Sequence, residues 1–251
     1  MGAYTEQAKQ ARLKVLDLIY EAQASHIGSN FSCIDILTVL FDKIDLDKDR
    51  FVLSAGWKAA SLYYFLWKKG RITEEQLNSY CKDGSPFIGL AEPIHPDIKI
   101  AGGSMGLGLP GAVGLALAKK LKGESGTVYV LMSDGELQCG TTWEATLVAA
   151  HHRLDNLMVF VDNNKFQAMG RTEDILPAGF PTNGWYAQAI NGHDHEMIER
   201  AIKDRIYQPM VYIALTTKGK GVSFMENNNL WHYKAPSKEE YTKAKEELCQ
   251  A

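Results

Sequence analysis

Residues 127–164 read TVYVLMSDGELQCGTTWEATLVAAHHRLDNLMVFVDNN. An apolar, β-branched run from Thr127 to Met132 stops at Ser133-Asp134-Gly135-Glu136, and a second run, Leu157 to Val161, stops at Asp162-Asn163-Asn164. Such runs predict buried parallel strands whose carboxyl ends open into turns, where α/β sheets bind their ligands. Between them Trp143, Leu147, Ala150 and His151 recur at helical spacing, with Gly140 before and Arg153 and Asp155 beyond. The unit therefore reads strand, helix, strand, and a right-handed crossover sets the Asp134 and Asn164 ends side by side. A carboxylate and an amide oxygen, completed by a backbone carbonyl and water, make a hard-oxygen site suited to Mg²⁺ or Ca²⁺ holding a phosphate-bearing partner. Taken alone, Asp-Gly and Asn-Asn are ordinary turn and loop dipeptides.

Asp-Gly, about thirty residues, then a paired Asn resembles the metal motif of thiamine-diphosphate enzymes, in the version found in transketolases. The resemblance implies that Asp134, Asn164 and the carbonyl of Phe166 hold the metal, with Gly135 and Glu136 beside the cofactor diphosphate. It implies an α/β three-layer thiamine-diphosphate-binding fold, a mostly parallel sheet with helices on both faces. Magnesium is the first expectation, because a diphosphate with few protein ligands suits it.

Four loops carry the remaining chemistry. Ala24-Ser25-His26-Ile27-Gly28 resembles the transketolase SGHPG segment, whose histidine faces the reacting carbon, and makes His26 the first catalytic candidate. A histidine after a helix is otherwise a C-terminal dipole partner. Gly102-Gly103-Ser104-Met105-Gly106-Leu107-Gly108 opens a helix, as glycine-rich loops do where backbone must approach a ligand. It resembles the family's TGSLGQG loop, so Gly103, Ser104, Met105, Gly106 and Leu107 are cofactor-binding candidates. His95-Pro96 resembles the GHP histidine, with a shorter gap to Gly106 than the family has, and adds His95 as a catalytic candidate. Lys218-Gly219-Lys220-Gly221-Val222, Met225-Glu226-Asn227-Asn228 and Trp231-His232-Tyr233-Lys234-Ala235-Pro236 resemble a run shared by split transketolases. There the histidine matching His232 contacts diphosphate and reaction centre, and an imidazole can also shuttle a proton near neutral pH. Asn191-Gly192-His193-Asp194 reads as a structural turn with Asp194 as helix cap.

Two positions depart from the family. Ser54-Ala55-Gly56-Trp57 carries an indole where transketolases have histidine; Trp57, still a cofactor-facing candidate, can stack or donate one N–H but cannot take a proton. Cys139 stands where the family has a glutamate linking the two active sites. A non-housekeeping substrate is expected.

With 251 residues, 45% of them hydrophobic, and a net charge of −3, the chain can build one large core and offers no polyanion surface, so nucleic-acid binding is not expected. No apolar stretch approaches membrane length, the N-terminus lacks a signal-peptide core, and Cys33, Cys81, Cys139 and Cys249 lack CxxC spacing, which points to a reducing, cytoplasmic setting. Helices are predicted at 6–24, 32–42, 57–69, 73–81, 107–121, 194–205 and 237–248, strands at 51–54, 185–190 and 210–215, and loops at 82–105 and 165–183. Residues 1–251 read as one diphosphate-binding domain. By the resemblance, the pyrimidine-binding and C-terminal domains lie on a separate subunit, two copies of each forming the enzyme. The implied reaction moves a two-carbon ketol unit from a ketose or ketose-phosphate donor to an aldose acceptor. The alternatives are a catalytically silent or regulatory subunit that keeps the fold, and a two-subunit oxo-acid decarboxylase or deoxyxylulose-phosphate-type synthase.

Overall fold

The structure is a computed structural model that describes residues 2–172 and 179–250. Helix α1 (Ala3–Ala22) buries Ala8, Ala11, Val15, Leu16 and Ile19, one stripe at three- and four-residue spacing, and ends where Gln23 turns left-handed at φ 48°. Helices α2 (Ile27–Ser32) and α3 (Ile34–Lys43) and strand β1 (Arg50–Leu53) follow. A 3-10 turn, Gly56–Lys58, leads into α4 (Ala59–Lys68). Next comes α5 (Glu74–Asn78), where Thr73 and Gln76 exchange side chain to backbone hydrogen bonds in a capping box. After α6 (Gly108–Lys122) come β2 (Val128–Ser133), α7 (Gly140–His151) and β3 (Leu157–Asn163). The chain continues through a small antiparallel hairpin, β4 (Phe166–Gln167) with β5 (Gly170–Arg171), then α8 (Gly179–Thr182), β6 (Tyr186–Asn191), α9 (His195–Lys203), β7 (Met210–Leu215) and α10 (Lys238–Gln250).

The main sheet is parallel throughout, in the order β1-β2-β3-β7-β6. From β1 to β3 the chain steps one way across the sheet, and from β6 to β7 it steps back. Right-handed crossovers in opposite directions put their helices on opposite faces. So α7 joins α6 on one face, packing Ala145 and Ala149 with Leu109 and Val113 against Val130, Met132, Val159, Val161 and Val211. On the other, α9 joins α1, α3 and α4 over Tyr129, Leu131, Met158, Phe160 and Tyr212. Successive residues alternate between the two cores, and β2 is buried at every position, as a parallel strand covered on both faces must be.

Ser133 of β2 lies beside Asp162 of β3, so the turns carrying Asp134 and Asn164 leave the same edge of the sheet. The expected strand, helix, strand unit and the Asp194 cap are present; Asp194 accepts from the Glu196 and Met197 amides at 3.0 Å each. Three expectations change. The helix expected at 32–42 is preceded by a separate one, α2, whose buried Ser29, Asn30 and Ser32 hide it from an apolar-periodicity reading. The helix expected at 57–69 starts as a 3-10 turn. The loop expected at 165–183 contains the β4–β5 hairpin and α8, while residues 173–178 lie outside those described. Among the described residues no helix is long and apolar enough to cross a membrane.

Candidate functional site

A cavity of about 410 Å³ opens at the carboxyl ends of β2 and β3, bounded by His26, Trp57, Met105, Gly135, Asn164 and His232 among others. Asp134 forms part of the buried layer under it. Its Oδ1 accepts from Gly135 N at 2.9 Å and its Oδ2 from Lys165 N at 2.7 Å and Thr172 Oγ1 at 2.8 Å. Burial still pushes its pKa up to about 6, against the lowering effect of Thr172. Asn164 donates through Nδ2 to Ser32 Oγ at 3.2 Å and Asp162 Oδ2 at 3.4 Å, so its Oδ1, which accepts from Phe166 N at 3.1 Å, is the atom on the other side.

Beneath both, Lys58 and Asp162 form an ion pair with neither side chain exposed. Asp162 also accepts from Ser32 Oγ at 2.5 Å and from Thr216 Oγ1. Burial pulls the Lys58 pKa down, and Asp162, with Cys33 and Asp134 adding to it, more than offsets that and leaves it raised. The residues present fit a divalent cation. A buried carboxylate with too little compensating charge, an amide oxygen turned by fixed partners, and the Phe166 carbonyl are hard donors of the kind Mg²⁺ prefers. Among the described residues no group of three His, Cys, Asp or Glu forms a competing site.

His26 begins α2 in the left-handed region at φ 70°, and its amide donates to the His232 carbonyl at 2.9 Å. This backbone link sets the two rings with centroids 5.0 Å apart; Tyr233 lies 5.7 Å and Trp57 6.4 Å from His26. Burial, then the Lys218 charge, lowers the His26 pKa to about 4; burial, Lys218 and His26 lower that of His232 to about 3. Both rings are neutral near pH 7, each with one nitrogen able to donate and one able to accept a hydrogen bond.

Lys58 and Lys218, both fully buried, the first lining the cavity and the second against His232, are not among the site candidates named from the sequence. Lys218 is fully buried, with Nζ 3.0 Å from His232 Nδ1 and 3.1 Å from Asn229 Oδ1. Burial and then Lys58 lower its pKa to about 8. Gly28 makes room for it, since a Cβ there would lie 3.0 Å from Lys218 Cγ and 3.1 Å from the Trp231 carbonyl oxygen. The sequence signal for both is a lysine in apolar or glycine-rich surroundings with no acidic residue at helical spacing. The segment entering Lys218 is anchored by His193, whose Nε2 accepts from Thr217 N at 2.9 Å while Nδ1 meets Asp35 Oδ2 at 2.7 Å. Arg12 and His195 reach the same carboxylate, which is held well below the usual carboxylate range.

Of the glycine-rich loop, Gly103 and Met105 reach the cavity; Ser104 and Leu107 are exposed. Gly106, at φ 78°, has no room for a side chain, since a Cβ would lie 2.5 Å from that of Cys139. Glu136 does not line the cavity. Its carboxylate is buried behind the loop, accepting from Ser54 Oγ, Gly106 N at 3.2 Å and Ser133 N at 2.8 Å, and so ties β1, the loop and β2 together. His95 also stands outside the cavity lining, its Nδ1 accepting from Asp97 N at 3.2 Å.

Residues 4–250 match the family described as transketolase, thiamine diphosphate binding domain. The chain is 34% identical to one of the subunits of apulose-4-phosphate transketolase from Phocaeicola vulgatus, covering 97% of this chain and 93% of that one. It is 32% identical to the 6-deoxy-6-sulfo-D-fructose transketolase subunit SqwG of a Clostridium species, covering 96% and 94%. The transketolase structure from Campylobacter jejuni superposes with a TM-score of 0.90 at 30% identity over 99% of this chain, which spans 43% of that protein's length. Fold, cavity and likeness agree: the chain belongs to the transketolase family, as its thiamine-diphosphate-binding domain, and its cofactors are thiamine diphosphate and a divalent metal.

Proposed function

We propose that this chain is the diphosphate-binding subunit of a two-component transketolase, which transfers a two-carbon ketol unit from a ketose or ketose-phosphate donor to an aldose acceptor. The observation that carries the reading is the convergence of His26, His232, Asn164 and Gly135 on one cavity above the buried Asp134. Asp134, Asn164 and the Phe166 carbonyl would hold Mg²⁺ against the cofactor diphosphate. When bound, thiamine diphosphate supplies the carbanion-stabilising chemistry that no side chain provides. The chain's own residues orient the reactants: neutral His26 and His232 hydrogen-bond substrate oxygens, and Trp57 walls the donor side with an apolar face.

The pyrimidine-binding and C-terminal domains would come from a partner subunit, two copies of each chain closing the assembly. Relatives that this chain covers almost end to end are themselves named as transketolase subunits, which supports that division. Exposed Met105, Met169 and Tyr233 at the cavity give the partner an apolar surface to cover. Four free cysteines support a cytoplasmic setting.

Calorimetric titration of thiamine diphosphate with Mg²⁺ tests the proposal, with the chain alone and with a candidate partner encoded beside its gene. Weak binding that strengthens sharply with the partner is expected, and Asp134→Asn should remove the Mg²⁺ dependence. Absence of binding in both cases would instead favour the silent-subunit reading, to which Trp57 beside His26 lends its one observation.

A further inference from the structure

The contact between Lys218 and His232 fixes more than a distance. A lysine amine in its ammonium form has three donors and no acceptor, so a ring nitrogen facing it must accept. Lys218 Nζ lies 3.0 Å from His232 Nδ1 and is itself directed by Asn229 Oδ1 at 3.1 Å. In a neutral imidazole, an accepting Nδ1 leaves the proton on Nε2. His232 Nε2 makes no hydrogen bond to any described residue, and the ring lines the cavity.

The lysine cannot easily swing aside. Its stem is packed closely along the Gly28 backbone, and the Gly219 amide donates to the Gly28 carbonyl at 2.8 Å. The His193 contact holds Thr217, one residue earlier. The His232 backbone is equally fixed, through its carbonyl and the His26 amide.

We propose that Lys218 is a positioning residue that locks His232 in the Nε2–H tautomer, so that the ring works toward the cavity as a hydrogen-bond donor to an oxygen and not as a base. This deepens the proposed site, but it concerns the chain before any cofactor or substrate binds and can fail or succeed independently of ketol transfer.

The test is nitrogen NMR on the intact chain with ring-¹⁵N histidine, the His232 signals being assigned by their loss in His232→Gln. In the unsubstituted protein at neutral pH, His232 should show a protonated-type shift at Nε2 and an acceptor-type shift at Nδ1. A dominant Nδ1–H form, or averaged shifts from both tautomers, would overturn the proposal without any Lys218 variant. In Lys218→Met, with folding checked by circular dichroism, the two nitrogens should move toward averaged shifts. Retention of the pure Nε2–H pattern there would show that something other than Lys218 sets the tautomer. A purely structural role for Lys218 would broaden or shift many histidine signals together, whereas the positioning role exchanges the character of the two nitrogens of one ring.

Discussion

The floor and the rim of the cavity are built on opposite principles. In the floor, Lys58, Asp162, Ser32 and Asn164 are buried polar groups joined to one another, and Asp134 beside them is held by the Gly135 and Lys165 amides and by Thr172. At the rim, Met169 is 91% exposed and Tyr233 65%, with Met105 close to half exposed. A satisfied polar network is expensive to disturb, while an exposed apolar edge contributes little until a second surface removes it from water. The Lys58–Asp162 part of the floor is therefore complete within the chain, whereas the apolar side chains of the rim stay exposed in it.

The largest effect that would break this contrast lies in the floor. Asp162→Ala strands the Lys58 ammonium with no exposed surface and removes an acceptor from Ser32 and Thr216. Loss of about 3–5 kcal/mol in urea unfolding is expected, as for other buried pairs deprived of one partner. A cost under about 1 kcal/mol would show that the floor is wetter and looser than described. At the rim the order reverses. Met169→Asp should leave stability within about 0.5 kcal/mol, yet weaken association with the partner subunit tenfold or more, about 1.4 kcal/mol. Unchanged association by sedimentation or calorimetry would move the partner's surface elsewhere.

A third, smaller effect lies between the two. Because His26 and His232 have folded pKa values near 4 and 3 against an unfolded value of 6.5, the unfolded chain binds more protons in the window between. Stability then rises with pH from about 3 to 6.5 and is lost on acidification. Replacing both with Gln should flatten that limb by on the order of 1 kcal/mol, partial exposure having been discounted, in unfolding midpoints measured across the window. An unaltered slope would mean that both rings already protonate freely in the folded chain.

Legibility in the sequence follows the same division. The strand ends at Asp134 and Asn164 can be read because buried parallel strands leave long apolar runs and their ligands fall at the carboxyl ends. His26 and His232 are legible through local segments, and the cavity brings them together. What local reading misses is long-range pairing. Lys58 meets Asp162 across 104 positions, and Ser32 meets it across 130. Glu136 is placed by the same kind of long-range pairing. Its position beside Asp134 suggests a cofactor contact, but Ser54 and the Gly106 amide, distant in sequence, claim its oxygens. His95 shares a segment with the binding loop, and yet the chain folds it onto Asp97.

Gly28 has an ordinary helical backbone, so its missing side chain answers to space alone. The volume it gives up is occupied by the stem of Lys218, which makes two positions far apart in the chain a single inheritable unit. A descendant that lost the lysine would relieve one of the two tight contacts at the glycine, the Trp231 carbonyl oxygen remaining, and a redesign that filled the glycine first would press on the lysine stem. Anyone reshaping this enzyme for another sugar would do well to vary the pair together.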